Sequence, residues 1–256
     1  MFLEKFNKFI VFSVLAASLL FCSPARAFFP SDEEINDIMY QKYGALTSYE
    51  AVFTFPSEPG TSLTIRRGHD HWQQEFRSSP DTNSTVAARN IGQYFKTVTQ
   101  CPADGNMPVS VLQIWAPEDP VSDWISIGMT NSTKSYGFHE DIPVFVFGAE
   151  SGDENSPQIR FDNESFAPLK IVLGAGRTVT FGSYSKFAGF MLPHSGSFKV
   201  GEEVMEFRIE WKEIRNKFSP SLFSAAGLKK QTGCSIPSGP VYDVLEKCLK
   251  LKLKDR

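Results

Sequence analysis

Several familiar signatures of chemistry are missing from this chain. There is no GxxxxGK[S/T] phosphate loop and no paired-cysteine zinc signature among its 4 cysteines. Gly174-Ala175-Gly176 has Val179 where a dinucleotide fingerprint needs its third glycine, and no βαβ pattern surrounds it, so it is a turn. Gly182-Ser183-Tyr184-Ser185 does not match the Gly-x-Ser-x-Gly nucleophile elbow. No basic stripe is present, and the net charge of -3 argues against nucleic acid as a partner. Internal repeats and low-complexity segments are likewise missing. No enzyme activity and no cofactor are implied by these residues.

Of the 4 histidines, His69 and His71 flank Asp70. Two histidines at i, i+2 on a strand can share a metal only with further ligands and a second shell. A solvated hairpin turn is the expected role, with no metal; a metal-dependent enzyme at this pair is the weakest of three functional readings. His139 precedes a strand in a loop, and His194 sits in a Pro-His-Ser-Gly turn. The Asn-x-Ser/Thr triplets at Asn83, Asn131 and Asn163 matter only in a eukaryotic secretory route.

The long apolar run Phe9 to Phe21 follows Lys5 and Lys8 and precedes Ala25-Arg26-Ala27. That order reads as a secretory signal peptide over residues 1–27, cut before Phe28, which makes the chain periplasmic. The alternative is a membrane-anchored lipoprotein through Cys22, which bulky Phe21 disfavours. With no second long apolar run, residues 28–256 are expected to form one soluble domain carrying 23 basic and 28 acidic residues. An exported chain can oxidise cysteines. Cys234 with Cys248 would pin the C-terminal helix to the loop before it; Cys101 with Cys234 is the other pairing, and spacing leaves both open.

What is abundant is patterned aromatic residue, with 23 phenylalanines. The strand at 205–212 has Met205, Phe207, Ile209 and Trp211 on one face and Glu206, Arg208, Glu210 and Lys212 on the other. Val200 to Glu203 reads as a hairpin turn, with Phe187 to Lys199 as one preceding strand. Ser31 and Glu34 form a capping box opening a helix through Ile35, Ile38, Met39 and Tyr43 that ends at Gly44. Strands are expected at Tyr49–Phe55, at Leu63 and Ile65, and at Trp72 to Phe76, with Val86 to Arg89 and Tyr94 to Val98 forming a hairpin about Asn90-Ile91-Gly92. Val109 to Trp115 fits a strand or a helix start. Asp119-Pro120 opens a short helix. Strands resume at Val144–Phe147, Gln158–Phe161, Leu169-Ile171-Leu173 and Val179-Phe181. Residues 224–240 form a loop, and a helix from Pro240 carries Val241, Val244, Leu245, Cys248 and Leu249 on one face.

This succession resembles the LolA/LolB superfamily of periplasmic lipoprotein and lipid carriers. The residues that carry it are the N-terminal helix, Leu63-Thr64-Ile65-Arg66-Arg67-Gly68 with Trp72 to Arg77, and Phe161-Asp162 with Phe166-Ala167-Pro168-Leu169. Thr178 to Phe181 with Tyr184, Met191-Leu192-Pro193, the strand Glu206 to Ile214 and Ser219 to Phe223 complete it. The resemblance implies an open, curved antiparallel β half-barrel, its mouth covered by a few helices, with an extension from about residue 224. It also implies an apolar cavity for acyl chains and an early-strand arginine that holds the lid, for which Arg66, Arg67 and Arg77 are candidates.

The expected cavity lining is Phe53, Ile65, Trp72, Phe76, Leu169, Ile171, Leu173, Val179, Phe181, Met205, Phe207, Ile209 and Trp211. For any single one of them, close packing in a dry core is the competing role. The expected partners are lipid or lipoprotein acyl chains, together with envelope membrane proteins. The leading functional reading is a non-enzymatic carrier. A different class, an envelope sensor or interaction domain, predicts a filled core and an exposed apolar patch.

Overall fold

The computed structural model describes residues 29–69, 71–78, 85–90, 96–99, 108–214, 217–228 and 238–250. The chain separates into Met1–Pro30 and Ser31–Arg256, and the fold described here is that of the second unit. The signal-peptide stretch, Cys22, Cys101 and Cys234 lie outside the described residues.

Helix α1 (Asp32–Tyr43) starts where the capping box requires. The Glu34 amide donates to Ser31 Oγ at 3.2 Å, and the Ser31 amide donates to the Glu34 carboxylate at 2.7 Å. Two orphan donors are thereby satisfied, while Ile35, Met39 and Tyr43 are buried on one face.

Five strands follow in a meander: β1 (Ser48–Thr54), β2 (Ser62–Gly68), β3 (His71–Arg77), β4 (Thr85–Asn90) and β5 (Lys96–Thr99). Two short helices, α2 (Val111–Trp115) and α3 (Pro120–Ser126), interrupt the strands. A second meander runs through β6 (Lys134–His139), β7 (Ile142–Phe147), β8 (Gln158–Asp162), β9 (Pro168–Gly174) and β10 (Arg177–Gly182). The small hairpin β11 (Ser185–Phe187) and β12 (Phe190–Leu192) leads to β13 (Ser195–Val200) and β14 (Glu203–Ile214). A 3-10 turn (Pro220–Phe223), α4 (Ala225–Leu228) and α5 (Pro240–Leu249) complete the described elements.

All strands except β11 and β12 form one 12-stranded antiparallel sheet in the order β5-β4-β3-β2-β1-β14-β13-β10-β9-β8-β7-β6. Its two ends, β5 and β6, do not pair, so the sheet is open. The expected class is therefore found: mainly β, an open antiparallel sheet with helices over one face. The join between the two meanders is β1 against β14, with Phe53 opposite Ile209 and Ala51 opposite Trp211.

Alternation sets which face is buried. On β14, Met205, Phe207, Ile209 and Trp211 are buried, whereas Glu206, Arg208, Glu210 and Lys212 are exposed. The inner face gathers Phe53, Ile65, Trp72, Phe161, Ile171 and Phe198 in one core with the helices. Helix α5 adds Val241, Val244, Leu245, Cys248 and Leu249 to it, the stripe expected from spacing. Arg177 holds that helix by donating to the Cys248 and Lys250 carbonyls at 3.5 Å and to Leu173 O at 2.8 Å.

Two sequence expectations are corrected, one alternative is decided and one strand is added. Of the two readings of Val109 to Trp115, the helix is found, over Val111–Trp115. Phe187 to Lys199 is not one strand: the chain turns at Gly189, with a φ of 96°, and again at Pro193. Strand β6 was not expected, since Gly137 and exposed Tyr136 and Phe138 give it no buried alternation. Leu169 does not share a face with Ile171 and Leu173. A register shift pairs Arg160 with Lys170 but Phe161 with Pro168, so Leu169 is the extra residue of a bulge. It joins Val144 and Val146 in a second small cluster, while their neighbours Phe145 and Phe147 face the main core.

Truncating Phe207, which is 1% exposed and packs on Phe53 and Phe198 at ring distances of 5.1 and 4.7 Å, should cost about 3–5 kcal/mol. Glu206→Ala on the opposite face should stay within about 0.5 kcal/mol. Urea denaturation of both variants checks this; equal losses would mean the faces are reversed.

Candidate functional site

The sheet offers two surfaces, and they differ in chemistry. The inner face carries Phe53, Ile65, Trp72, Phe76, Ile171, Leu173, Val179, Phe181, Met205, Phe207, Ile209 and Trp211, all buried in one core. Alternation predicts one shared face for them, as the walls of a cavity. Among the described residues, helices pack against that face. Trp115 of α2 lies against Tyr43, Phe181 and Trp211 at ring distances of 4.9, 6.4 and 6.3 Å. Trp124 of α3 lies against Phe147 and Phe161 at 5.6 and 5.3 Å. Among the described residues, a void of about 10 Å³ lies between Leu63, Phe76, Tyr242 and Leu245, room for about one water. The reason is packing: α2 brings Val111, Leu112, Ile114 and Trp115 onto the sheet, and all four are buried.

The cover is held by few polar contacts. Gln74 donates to Pro108 O at 2.7 Å, Trp124 Nε1 to Ile114 O at 2.9 Å, and Trp115 Nε1 to the Tyr184 hydroxyl at 3.0 Å. The Tyr184 hydroxyl in turn donates to Pro168 O, and burial keeps this phenol protonated despite the Trp115 hydrogen bond. Neither α2 nor α3 has a capping side chain of its own; the Val121 amide of α3 finds Asn36 Oδ1 on α1 at 3.1 Å. Within this interior several polar atoms have no hydrogen-bond partner among the described residues: both ends of the Gln113 amide, Ser110 Oγ and Trp72 Nε1. Gln113 is 2% exposed. Sequence reasoning missed this residue, although a glutamine inside the run Val109–Trp115 was the available signal.

Of the three candidate arginines, Arg67 is on the inner face, buried, with its guanidinium 5.2 Å from the Trp72 ring centre. Arg66 faces outward to Glu50 at 2.6 Å and Glu75 at 3.0 Å, and Arg77 pairs with Glu75 at 3.2 Å. Among the described residues Cys248 is a buried thiol, and its expected partner Cys234 lies outside them. Its Sγ points to the backbone oxygens of Thr178 and Lys199 at 3.9 and 4.0 Å, and burial pushes the thiol up to about 12 although Arg177 acts the other way. His69 occupies a turn with φ 53°, and His71 packs on Phe223 at 5.7 Å. Among the described residues, no three His, Cys, Asp or Glu side chains converge as metal ligands.

The outer face carries a groove of about 860 Å³ at the end of the sheet where β8 and β10 finish and β9 and β13 begin. Thr180, Ser197 and Glu206 form one cross-strand row in its floor; Gly182, Ser195 and Arg208 form the next. The β6–β7 turn supplies His139 and Glu140, and the β8–β9 turn supplies Asp162 and Ser165. Burial and Lys170 lower His139, with Glu140 opposing, so the imidazole is largely neutral at pH 7. Of the expected lining residues, Leu169, Phe181 and Phe207 border this groove.

No protein-family model matches the chain, and no curated protein matches it. Among solved structures, it is similar to a LolA superfamily protein from Nitrosomonas europaea, with a TM-score of 0.48 and 9% identity over 77% of this chain and 98% of that one. The fold class rests on the sheet order and the helical cover described above.

The helical cover has a pH-sensitive strap. Asp32 meets Lys134 of β6 at 2.8 Å and accepts from Asn131 at 2.8 Å. Burial raises its carboxyl, but the bonds from Lys134 and Asn131 outweigh burial and hold it below 3.8. A carboxyl depressed on folding stabilises above its unfolded value and loses that contribution as pH falls through the folded one. Wild type should therefore lose more thermal stability between about pH 5 and about pH 3 than Asp32→Asn does. Parallel losses in melting temperature would remove the strap from the account.

Proposed function

We propose that this protein is a non-enzymatic carrier or binding protein of the cell envelope, which takes up acyl chains from lipids or lipid-modified proteins against the inner face of its sheet. The observation that carries this reading is α2. It is a short, uncapped helix placed in an aromatic-lined interior, with a glutamine amide that has no partner at either end among the described residues. Leaving a buried polar group unpaired costs about 1–3 kcal/mol. The closed arrangement is thus poised against an alternative in which α2 moves outward and its polar atoms meet water. An acyl chain taking its place contributes about 0.8 kcal/mol per buried CH₂, enough for useful affinity from one chain while remaining releasable. The contacts of Trp115 with Tyr43, Phe181 and Trp211 would be exchanged for contacts of those rings with lipid, so the interior stays dry in both states.

A second reading is an interaction domain that binds an envelope protein. It is favoured by the filled inner face and by edge strand β6, where Phe138 is 69% exposed and Tyr136 42% exposed. It expects no acyl uptake at all.

The test is Gln113→Leu, which keeps the volume nearly constant and removes the unpaired amide. Thermal stability should rise by an amount corresponding to about 1–3 kcal/mol, and binding of a fluorescent fatty acid should weaken in proportion. Binding of that probe by wild type with no change in Gln113→Leu would contradict a moving α2. No binding by wild type would favour the interaction domain.

A further inference from the structure

We propose that the groove on the outer face is a binding site for a neutral saccharide. Its floor rows lie on the side of the sheet opposite the aromatic interior, which the groove meets at Phe181 and Phe207. Its volume of about 860 Å³ falls within the range of about 300–1,000 Å³ that holds small ligands.

The lining selects the class. Thr180 Oγ1 and Ser197 Oγ are 2.7 Å apart, and Ser195 Oγ donates to Ser183 Oγ at 2.8 Å. Each hydroxyl pair consumes one proton and leaves one O–H donor with acceptor lone pairs to spare. The rows therefore present donors and acceptors side by side, the complement of adjacent hydroxyls on a sugar ring. Glu206 and Arg208 stand two residues apart on β14, both exposed, with no ion-pair partner among the described residues. They add an acceptor pair and a planar donor fork at the same floor. Elsewhere on the same strand and face, Lys212 is paired with Glu210.

Charge excludes the main competitors. Glu140, Asp162 and Glu206 outnumber Arg208 in the lining, and the neighbouring Lys170 and Arg160 are paired with Glu154. A phosphate-rich or otherwise polyanionic ligand would be repelled. An acyl chain would leave the hydroxyls unsatisfied. Ile142, Leu169 and Met191 give the groove apolar patches that suit the C–H face of a sugar ring.

The close approach of strands in the floor depends on Gly196. A Cβ there would collide with the Thr180 carbonyl oxygen and the Phe207 ring. On the rim, Ser183 and Glu140 hold φ values of 51° and 55°, uncommon for residues other than glycine.

Amide-resolved NMR titration of the protein with maltotriose and with triacetylchitotriose tests the proposal. At millimolar concentration at least one should give saturable shifts confined to the groove, centred on Thr180, Ser183, Ser197 and Arg208. Arg208→Met and Ser197→Ala should each weaken that binding about tenfold or more with unchanged melting temperatures. A free oligosaccharide and the sugar headgroup of a glycolipid share this chemistry, and dodecyl maltoside against maltose separates them. Equal affinities point to the free sugar, and a gain for the alkylated sugar to the headgroup. No shifts with either saccharide, shifts outside the groove, preferential binding of inorganic phosphate there, or two well-folded variants that bind like wild type would each overturn the proposal.

Discussion

Strands β1 and β14 come from opposite ends of the described chain, and their pairing makes one sheet out of two meanders. Neither meander alone presents a complete apolar face. The seam brings Phe53 to Phe207 and Tyr49 to Trp211, both at a ring distance of 5.1 Å, and Trp115 then closes over Trp211. The length of β14 is what makes this possible: its first half pairs with β13 and its second half with β1. Pairing of such distant segments carries a loop-closure cost that local hairpins avoid, and the buried aromatic face on β14 offsets it.

From this seam the two faces diverge. Inward, the side chains are aromatic and aliphatic, and the helices that cover them are short, with Asn36 of α1 supplying the acceptor that α3 lacks. Outward, the polar residues are organised into networks. Glu154 from the β7–β8 loop reaches Arg160 at 2.8 Å and Lys170 at 2.6 Å, clasping that loop over β8 and β9. Burial raises the Glu154 carboxyl, but these two partners lower it further than burial raises it. The same face, one strand on, opens into the hydroxyl-lined groove. An aromatic interior and a polar groove are thus placed back to back, separated by the thickness of the sheet.

Much of the fold was legible because one-sided burial writes itself into the chain. The alternation of β14, the capping box at Ser31 and the helical stripe from Val241 to Leu249 each correspond to a single physical rule, and each was found where expected. What alternation cannot express was lost. The bulge at Leu169 moves one leucine to the other face without changing the sequence pattern. Strand β6 is an edge with exposed aromatics, so no burial rhythm marks it. Of the candidate site, the shared inner face was legible, but whether its residues line space or fill it depends on α2, whose run reads equally as strand or helix. The groove gave almost no signal, because Thr180, Ser195, Ser197, Glu206 and Arg208 look in sequence like an ordinary solvated face. Only the register that aligns them across three strands turns them into a surface.

In the carrier reading, the aromatic interior exchanges its helical filling for acyl chains. Native mass spectrometry of the purified protein, before and after added phospholipid, followed by organic extraction, tests this most directly. The account predicts a bound mass that matches a phospholipid or an acylated peptide and is recovered in the organic phase. A protein mass that is bare as isolated, and stays bare in excess lipid, would contradict it.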